Sequence, residues 1–212
     1  MGSMMKDRFQ SPRGRVSLGF TMEQAAVMAL PKGEVFIEMV DGKTGEVLFK
    51  EHRPNVITAD AGIQAARYFK DPSEPASGAN MLAVGTGATG ALLSPDAPSP
   101  DQRGLNAEIS RKAWASTTFR NADGGASEIP TNVVDFTCTY DEAEAVGPLN
   151  EMGILSTRSD NPLITYPNPD IYPARELSRD LRDYDVLINY LTFAVISKPS
   201  TARLTITWRI TF

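Results

Sequence analysis

The clearest pattern along the chain is a strict alternation of apolar and polar residues in its last nine positions. In residues 204–212, LTITWRITF, every second residue is large and apolar, and threonine or arginine stands between them. Because successive side chains of a β-strand point to opposite faces, this pattern predicts a strand with one buried face. Burial of its apolar side chains, at about 1.5–3 kcal/mol each, predicts a large contribution to stability. The apolar set is Leu204, Ile206, Trp208, Ile210 and Phe212.

Alternation and short apolar runs predict strands along most of the remaining chain. Residues 34–40 and 47–50 flank the turn sequence DGKTG, which predicts a β-hairpin. Residues 133–140 alternate in the same way and place Cys138 on their apolar face, as a small buried hydrophobic residue. Further strands are predicted at residues 81–84, 113–119, 149–155 and 186–196.

One helix is predicted at residues 58–70, with Thr58 or Asp60 as its N-cap, and a second short one at residues 21–28. About seven to nine strands with one or two short helices favour a mainly β fold, an antiparallel, jelly-roll-like β-sandwich. In the predicted helix at residues 58–70, the apolar side chains that lie near one face are Ile63, Ala66 and Tyr68 or Phe69.

Charge divides the chain into a short N-terminal segment and a body. Residues 1–33 carry five basic and two acidic residues, whereas residues 34–212 carry 16 basic and 24 acidic residues. We therefore expect a basic N-terminal arm on a β-sandwich body, with Arg13 and Arg15 as candidate contacts to an acidic neighbouring subunit. A disordered tail is the alternative interpretation of residues 1–33.

A second unusual segment, residues 156–185, is long, polar and contains four prolines. Loops of this length inside a compact domain are usually functional or disordered. Tyrosine is enriched at interface cores, so we expect an extended contact loop with Tyr166, Tyr172 and Arg175 as candidate partner contacts. A solvated loop without a partner is the alternative.

Composition argues against several classes of protein. A single Cys, Cys138, excludes an internal disulfide and a Cys-based zinc cluster, and a single His, His52, excludes a two-His metal site. The net charge of −5 argues against direct nucleic-acid binding by the whole chain. No apolar run approaches the ~20 residues that span a bilayer, and no signal peptide is recognised, so we expect synthesis in a reducing cytoplasm and no membrane association.

No motif predicts catalysis. The GTGATG run at residues 85–90 matches G-x-G-x-x-G, but three prolines soon follow where a dinucleotide site needs a helix, so we interpret it as a turn. The NADGGASE run at residues 121–128 lacks the acidic spacing of a calcium loop and is also interpreted as a turn. We therefore expect no cofactor, no metal and no enzymatic activity.

Glu108, Arg111 and Glu151 are candidates for structural ion pairs. Glu151 lies in an otherwise apolar predicted strand, and a buried carboxylate needs partners. We expect Glu151 or Glu108 to bond Arg111 or backbone amides and so hold the preceding loop to the sheet. Two unrelated exposed pairs are the alternative.

The order of several short motifs resembles virion structural proteins of tailed bacteriophages. In chain order these are NVIT at residues 55–58, LAVGTG at 82–87, GLNAEISR at 104–111, NEMGIL at 150–155 and the final LTITWRITF at 204–212. The resemblance extends over about residues 34–212, and the long 156–185 segment and the basic segment 1–33 depart from the usual pattern.

The resemblance implies a non-enzymatic protein of the phage particle, located in the virion. Such proteins decorate the head as cement proteins or form neck, tail or fibre components. It implies self-association, as a trimer or dimer, and binding to neighbouring capsid, neck or tail proteins. A receptor- or glycan-binding module of a tail or neck fibre is the alternative function, and a phage enzyme is a third class.

Overall fold

A computed structural model of the protein describes residues 31–70, 78–158 and 185–212. Within these ranges the chain forms one helix and twelve strands, so the mainly β prediction is confirmed. Several predicted features lie outside the described residues: the helix at 21–28, the arm contacts Arg13 and Arg15, and the loop residues Tyr166, Tyr172 and Arg175.

The elements are β1 (Lys32–Asp41), β2 (Val47–Ile57), α1 (Ala59–Lys70), β3 (Met81–Gly85), β4 (Gly90–Ala91), β5 (Ser94–Pro95), β6 (Glu108–Ala113), β7 (Ser116–Arg120), β8 (Ala126–Ser127), β9 (Val133–Tyr140), β10 (Gly147–Thr157), β11 (Asp185–Lys198) and β12 (Ala202–Thr211).

Ten of the strands form one antiparallel sheet in the order β6-β3-β10-β11-β2-β1-β12-β9-β7-β8, and β4 pairs with β5 separately. Strand β2 joins the two halves of this sheet. Most of β2 pairs with β1, whereas its last two residues, Val56 and Ile57, pair with Tyr190 and Asn189 of β11. The two halves are therefore continuous through one long strand.

The two halves of the sheet share one large hydrophobic core, and a smaller second cluster lies within the half that contains β3, β10 and β11. Tyr140 of β9 donates its hydroxyl to the carbonyl of Leu82 in β3, at 2.8 Å, although β9 and β3 lie far apart in the sheet order. The rings of Trp114 and Phe136 are likewise in contact across the two halves, with centroids 5.3 Å apart. Such contacts require the sheet to fold over on itself, so that side chains from both halves interdigitate in one layer.

The C-terminal strand is central to this core. In β12 the buried and half-buried residues alternate as predicted, and Leu204, Ile206, Trp208 and Ile210 are at most 3% exposed. The prediction was wrong for Phe212, which is 64% exposed. Strand β12 ends at Thr211, and the backbone amide of Phe212 donates to the carbonyl of Asn132 beyond the core.

The predicted hairpin is confirmed as β1 and β2, and its turn is organised by Asp41. The Asp41 carboxylate accepts hydrogen bonds from the backbone amides of Lys43 and Thr44, at 2.9 and 2.8 Å. These bonds, Thr44 first, lower the pKa of Asp41 below its usual value. Gly45 completes the turn at a φ of 73°, a conformation that glycine adopts without strain.

Several predicted boundaries differ from the structure. Residues 113–119 are not one strand, because β6 and β7 are separated at Trp114, whose indole donates to the carbonyl of Ala79 at 3.1 Å. Five residues that the sequence analysis assigned to the arm or to the long loop belong to strands. Lys32 and Gly33 belong to β1, Ser156 and Thr157 to β10, and Asp185 to β11.

The predicted N-cap of the helix was also wrong. Thr58 precedes α1, but its hydroxyl donates to the carbonyls of Leu187 and Ile188 in β11. The carboxylate of Asp60, in the first turn, pairs instead with Arg103 at 2.6 Å. Both side chains therefore attach α1 to the rest of the protein.

We predict that the core of β12 carries much of the free energy of unfolding. Ile206→Ala removes a fully buried side chain and is expected to lower the free energy of unfolding by about 2–5 kcal/mol. The matched control Phe212→Ala, at an exposed position of the same chain end, should change it by less than about 0.5 kcal/mol. Urea unfolding followed by circular dichroism measures both, and equal losses would contradict the burial pattern.

Candidate functional site

Glu151, in the middle of β10, is fully buried and accepts four hydrogen bonds from described residues. One carboxylate oxygen, Oε1, accepts from the backbone amides of Gly87 and Ala107, at 2.9 and 2.8 Å. The other, Oε2, accepts from the amide of Asn106 at 3.0 Å and from the hydroxyl of Tyr190 at 2.6 Å. A buried carboxylate is costly without partners, and this set of donors provides them.

Tyr190 in β11 keeps its proton at ordinary pH. Burial, together with the hydrogen bond to the negatively charged Glu151, raises the pKa of the Tyr190 hydroxyl well above its usual value. The hydroxyl therefore remains a donor to Glu151 across the physiological range, which links β11 to β10 through side chains as well as through the backbone.

The two glycines that begin the G-x-G-x-x-G run allow the backbone to approach this carboxylate. A Cβ at Gly85 would lie 2.6 Å from the Glu151 carboxylate, and a Cβ at Gly87 would lie 2.4 Å from the amide nitrogen of Ala107. Both distances are too short for any other residue without movement of the backbone. The last glycine of the run, Gly90, begins the short strand β4 and lies against Asp96, so only the first two glycines serve the contact with Glu151.

Further hydrogen bonds hold residues 86–107, which we call the clamped loop, against β10 and β11. Asn150 accepts from the amide of Ala88 at 3.0 Å, and Thr192 donates to the carbonyl of Asp96 at 2.7 Å. The amide of Val195 donates to the carbonyl of Leu92 at 2.9 Å. The clamped loop is thus fixed at both ends and near its middle.

The clamped loop presents two adjacent leucines to solvent. Leu92 and Leu93 connect the paired strands β4 and β5 and are 67% and 79% exposed. The two side chains form a small exposed apolar patch on a turn whose backbone is held in place. Sequence reasoning missed these residues because the whole segment was interpreted only as loop. The available signal was a pair of leucines between Gly90 and Pro95.

A second buried polar network lies beside the first. Arg111 in β6 makes a two-bond ion pair with Glu108, the second bond at 2.7 Å, and both residues are at most 4% exposed. Arg111 also donates to Asp185 at the start of β11, at 3.0 Å. The structure thus places Glu108 against Arg111 and Glu151 against backbone amides, in two separate clusters.

The outer face of β1, β2 and β12 carries a shallow depression of about 410 Å³. Phe36 and His52 stack in parallel across it, with ring centroids 4.4 Å apart. Glu38 and Lys50 form an ion pair at 2.6 Å at its side. Its lining residues are Phe36, Ile37, Glu38, Lys50, Glu51, His52, Thr205 and Thr207.

Beside this depression, Asp135 of β9 binds two arginines. Its carboxylate accepts from Arg209 at 2.7 and 2.9 Å and from Arg120 at 2.7 Å. Burial alone would raise the pKa of Asp135, but the two arginines outweigh burial and lower it below 3.8. Asp135 is only 2% exposed, although the alternation of β9 places it on the face opposite Cys138.

The remaining chemically reactive side chains are explained by their surroundings. Cys138 is fully buried, as predicted, and burial raises the pKa of its thiol to about 12. Among the described residues, no group of three or more His, Cys, Asp and Glu side chains is placed to hold a metal ion. Within the same ranges, no helix has both the length and the apolar character required to cross a membrane.

No protein-family model matches the chain, and no curated protein matches it.

We predict that Glu151→Gln loosens the clamped loop. The NH₂ group of a glutamine is itself a donor, so it would face backbone amides that also donate and would leave buried groups without hydrogen bonds. The substitution should therefore lower the free energy of unfolding by about 2–4 kcal/mol. Amide exchange at Gly87, Asn106 and Ala107 should accelerate, as measured by hydrogen exchange with NMR detection. The exposed Glu128→Gln is the control, and unchanged exchange in Glu151→Gln would contradict the clamp.

A second prediction concerns Asp135 and pH. Because the folded pKa of Asp135 is lowered, its stabilising effect is present above pH 3.8 and disappears as the pH falls through the folded pKa. Asp135→Asn should therefore be less stable than wild type by about 2–3 kcal/mol at pH 7, and this difference should shrink as the pH falls through the folded pKa of Asp135. Urea unfolding at pH 7 and at a series of lower pH values measures it, with exposed Asp123→Asn as control. A difference independent of pH would exclude the ionic explanation.

Proposed function

We propose that the chain is a non-enzymatic structural protein of a tailed-phage particle, which binds neighbouring capsid, neck or tail proteins. Two kinds of observation support this function. The ordered motifs between residues 55 and 212 resemble such proteins. The clamped loop also offers a rigid surface with exposed leucines.

The clamped loop is the observation on which the proposal depends most. Three of the motifs in the resemblance meet at this loop. Residues 82–87 and 104–111 contain its two ends, and residues 150–155 contain Glu151, whose carboxylate accepts hydrogen bonds from both ends. These motifs thus form one structural unit, the clamped loop and the carboxylate that holds it. A catalytic site would need side chains placed around a reacting molecule, whereas this unit holds a loop backbone and its apolar turn in position.

The rigidity of the loop has a physical benefit for assembly. A contact surface that is already ordered loses less conformational entropy when a partner binds. Burial of the Leu92 and Leu93 side chains in a neighbouring protein would contribute about 1.5–3 kcal/mol each. Many such modest contacts, repeated by the symmetry of a particle, give strong overall attachment.

The segments predicted as an arm and a contact loop extend this proposal. The basic residues Arg13 and Arg15 are suited to acidic surfaces of neighbours, and Tyr166, Tyr172 and Arg175 are suited to an interface core. In the proposed function these segments add contact area to that of the clamped loop.

We predict that the Leu92→Ser/Leu93→Ser double variant is displaced from particles. Both side chains are exposed, so the variant should fold with an unchanged melting temperature but attach at least about tenfold more weakly. For this test, particles are assembled in cells that express the variant in place of the wild-type chain. The particles are purified on a density gradient, and mass spectrometry measures how much of the chain they contain.

The matched control is Ile129→Ser, which removes another apolar side chain that is 72% exposed. It should leave attachment unchanged. Absence of the wild-type chain from purified particles would contradict the proposed function itself. Equal attachment of the double variant would show that another surface makes the contact. The number of copies per particle separates a head-decorating protein from a neck or tail component.

The depression on the outer face favours a second candidate, a receptor- or glycan-binding module. An aromatic pair beside an ion pair and two threonine hydroxyls is a combination that binds sugar rings. Binding of purified protein to a glycan array, lost in the His52→Ala variant, would favour this candidate. Particle attachment without any glycan signal would favour the assembly function.

A further inference from the structure

Strand β2 has strand neighbours on both sides only at its end. Val56 and Ile57 pair with β11, whereas the preceding part of the strand pairs with β1. Among the described residues, no strand pairs with residues 47–55 on the side away from β1. We call the backbone of residues 50–54 on this side the free edge of β2. An edge of this kind presents backbone donors and acceptors to which a strand of another molecule can add.

The amide of Thr58 shows which backbone groups of β2 point toward the free edge. Thr58 lies one residue beyond β2, and its amide donates to the carbonyl of Ile188 on the β11 side, at 3.0 Å. The backbone groups of successive residues in an antiparallel strand point to alternate sides. The even-numbered residues of β2 therefore direct their backbone groups away from β1. On the free edge these residues are Lys50, His52 and Pro54.

Proline at position 54 removes a hydrogen-bond donor from the free edge. Pro54 stands opposite Glu34 of β1, and this pairing needs no N–H from Pro54 because the backbone of Pro54 faces the other side. A strand added to the free edge would find no N–H at residue 54 and would meet the proline ring in its place. The ladder of hydrogen bonds along this edge is therefore interrupted near its middle.

The same strand carries two charged side chains on the face that it turns toward the core. Phe49 and Ile57 pack against the large core, and alternation places Glu51 and Arg53 on that face. Glu51 and Arg53 form an ion pair at 2.5 Å, and their side chains are 27% and 32% exposed. A strand added at the free edge would cover this ion pair and remove it from water, which is costly.

The adjacent edge, in β11, is treated differently. Beyond Tyr190, where β11 separates from β2, the amide of Val195 donates to the carbonyl of Leu92 at 2.9 Å. The hydroxyl of Thr192 donates to the carbonyl of Asp96 at 2.7 Å. The hairpin of β4 and β5 thus lies along β11. The chain covers one of these two edges with its own backbone and places proline and inward charges on the other.

We propose that Pro54 and the Glu51–Arg53 ion pair protect the free edge of β2 against strand addition by other copies of this chain. Every copy carries the same edge, and two β2 strands can align antiparallel about His52, which is the simplest two-fold pairing of an edge with itself. A protein that acts by contact must join its neighbours through one surface and not through another. This protection goes beyond the proposed function and requires only the chain itself.

The first test removes the protection in purified full-length protein. The triple variant Glu51→Thr/Arg53→Thr/Pro54→Val keeps the net charge, adds strand-forming residues and restores an N–H at position 54. It should associate at least about tenfold more tightly than wild type in sedimentation velocity. Pro54→Val alone changes one exposed residue and should shift association in the same direction, even if the triple variant does not fold. The control Glu142→Thr/Arg203→Thr removes another partly exposed ion pair and should associate as wild type does.

The second test locates the effect by hydrogen exchange with NMR detection. In dilute wild-type protein, the amides of Lys50 and His52 should exchange at least about tenfold faster than those of Glu51 and Arg53, which face β1. In the triple variant, the amides of Lys50 and His52 should become protected as the protein concentration rises. This pattern would place the new contact at the free edge.

Three outcomes would overturn the proposal. The first is unchanged association of both Pro54→Val and the triple variant. The second is protection of the Lys50 and His52 amides in wild type at every concentration, which would mean that the chain itself covers the free edge. The third is protection that rises with concentration in wild type, which would make the free edge a contact surface. All of these are measured without particles, so absence of the chain from phage particles would contradict the proposed function and leave this result unaffected.

Discussion

The buried carboxylate of Glu151 fixes both ends of the clamped loop against β10 and bonds to Tyr190 of the neighbouring strand β11. Its four described donors come from both ends of the clamped loop and from β11. Because a buried charge without partners is strongly unfavourable, the loop and the sheet adopt this arrangement together. Gly85 and Gly87 belong to this arrangement, because a Cβ at either position would collide with the carboxylate or with the backbone of Ala107.

The folded sheet provides the frame for this carboxylate. Strand β2 belongs to both halves of the sheet, and β12 supplies alternating side chains to the core between them. Burial on this scale stabilises the body without a disulfide, since Cys138 is a single buried thiol. A rigid frame of this kind allows surface loops to be held in one conformation, and that property suits a protein that acts by contact.

The described part of the chain leaves several large apolar side chains exposed. The clamped loop exposes Leu92 and Leu93, and α1 exposes Phe69 while it buries Gln64. In the proposed function, the leucines of the clamped loop meet a neighbouring protein, and contacts of modest strength add up through the symmetry of a particle.

The sequence by itself determined the strands whose evidence is local, including the terminal strand and the hairpin around Asp41, because alternation and turn chemistry act over a few residues. It also indicated that Glu151 needs partners. Only the tertiary structure decided which partners these are, since its donors lie 39 to 64 positions away along the chain. The same holds for Thr58, whose hydroxyl donates to a backbone carbonyl of β11. It also holds for α1, because the face that this helix buries depends on what packs against it rather than on its own periodicity.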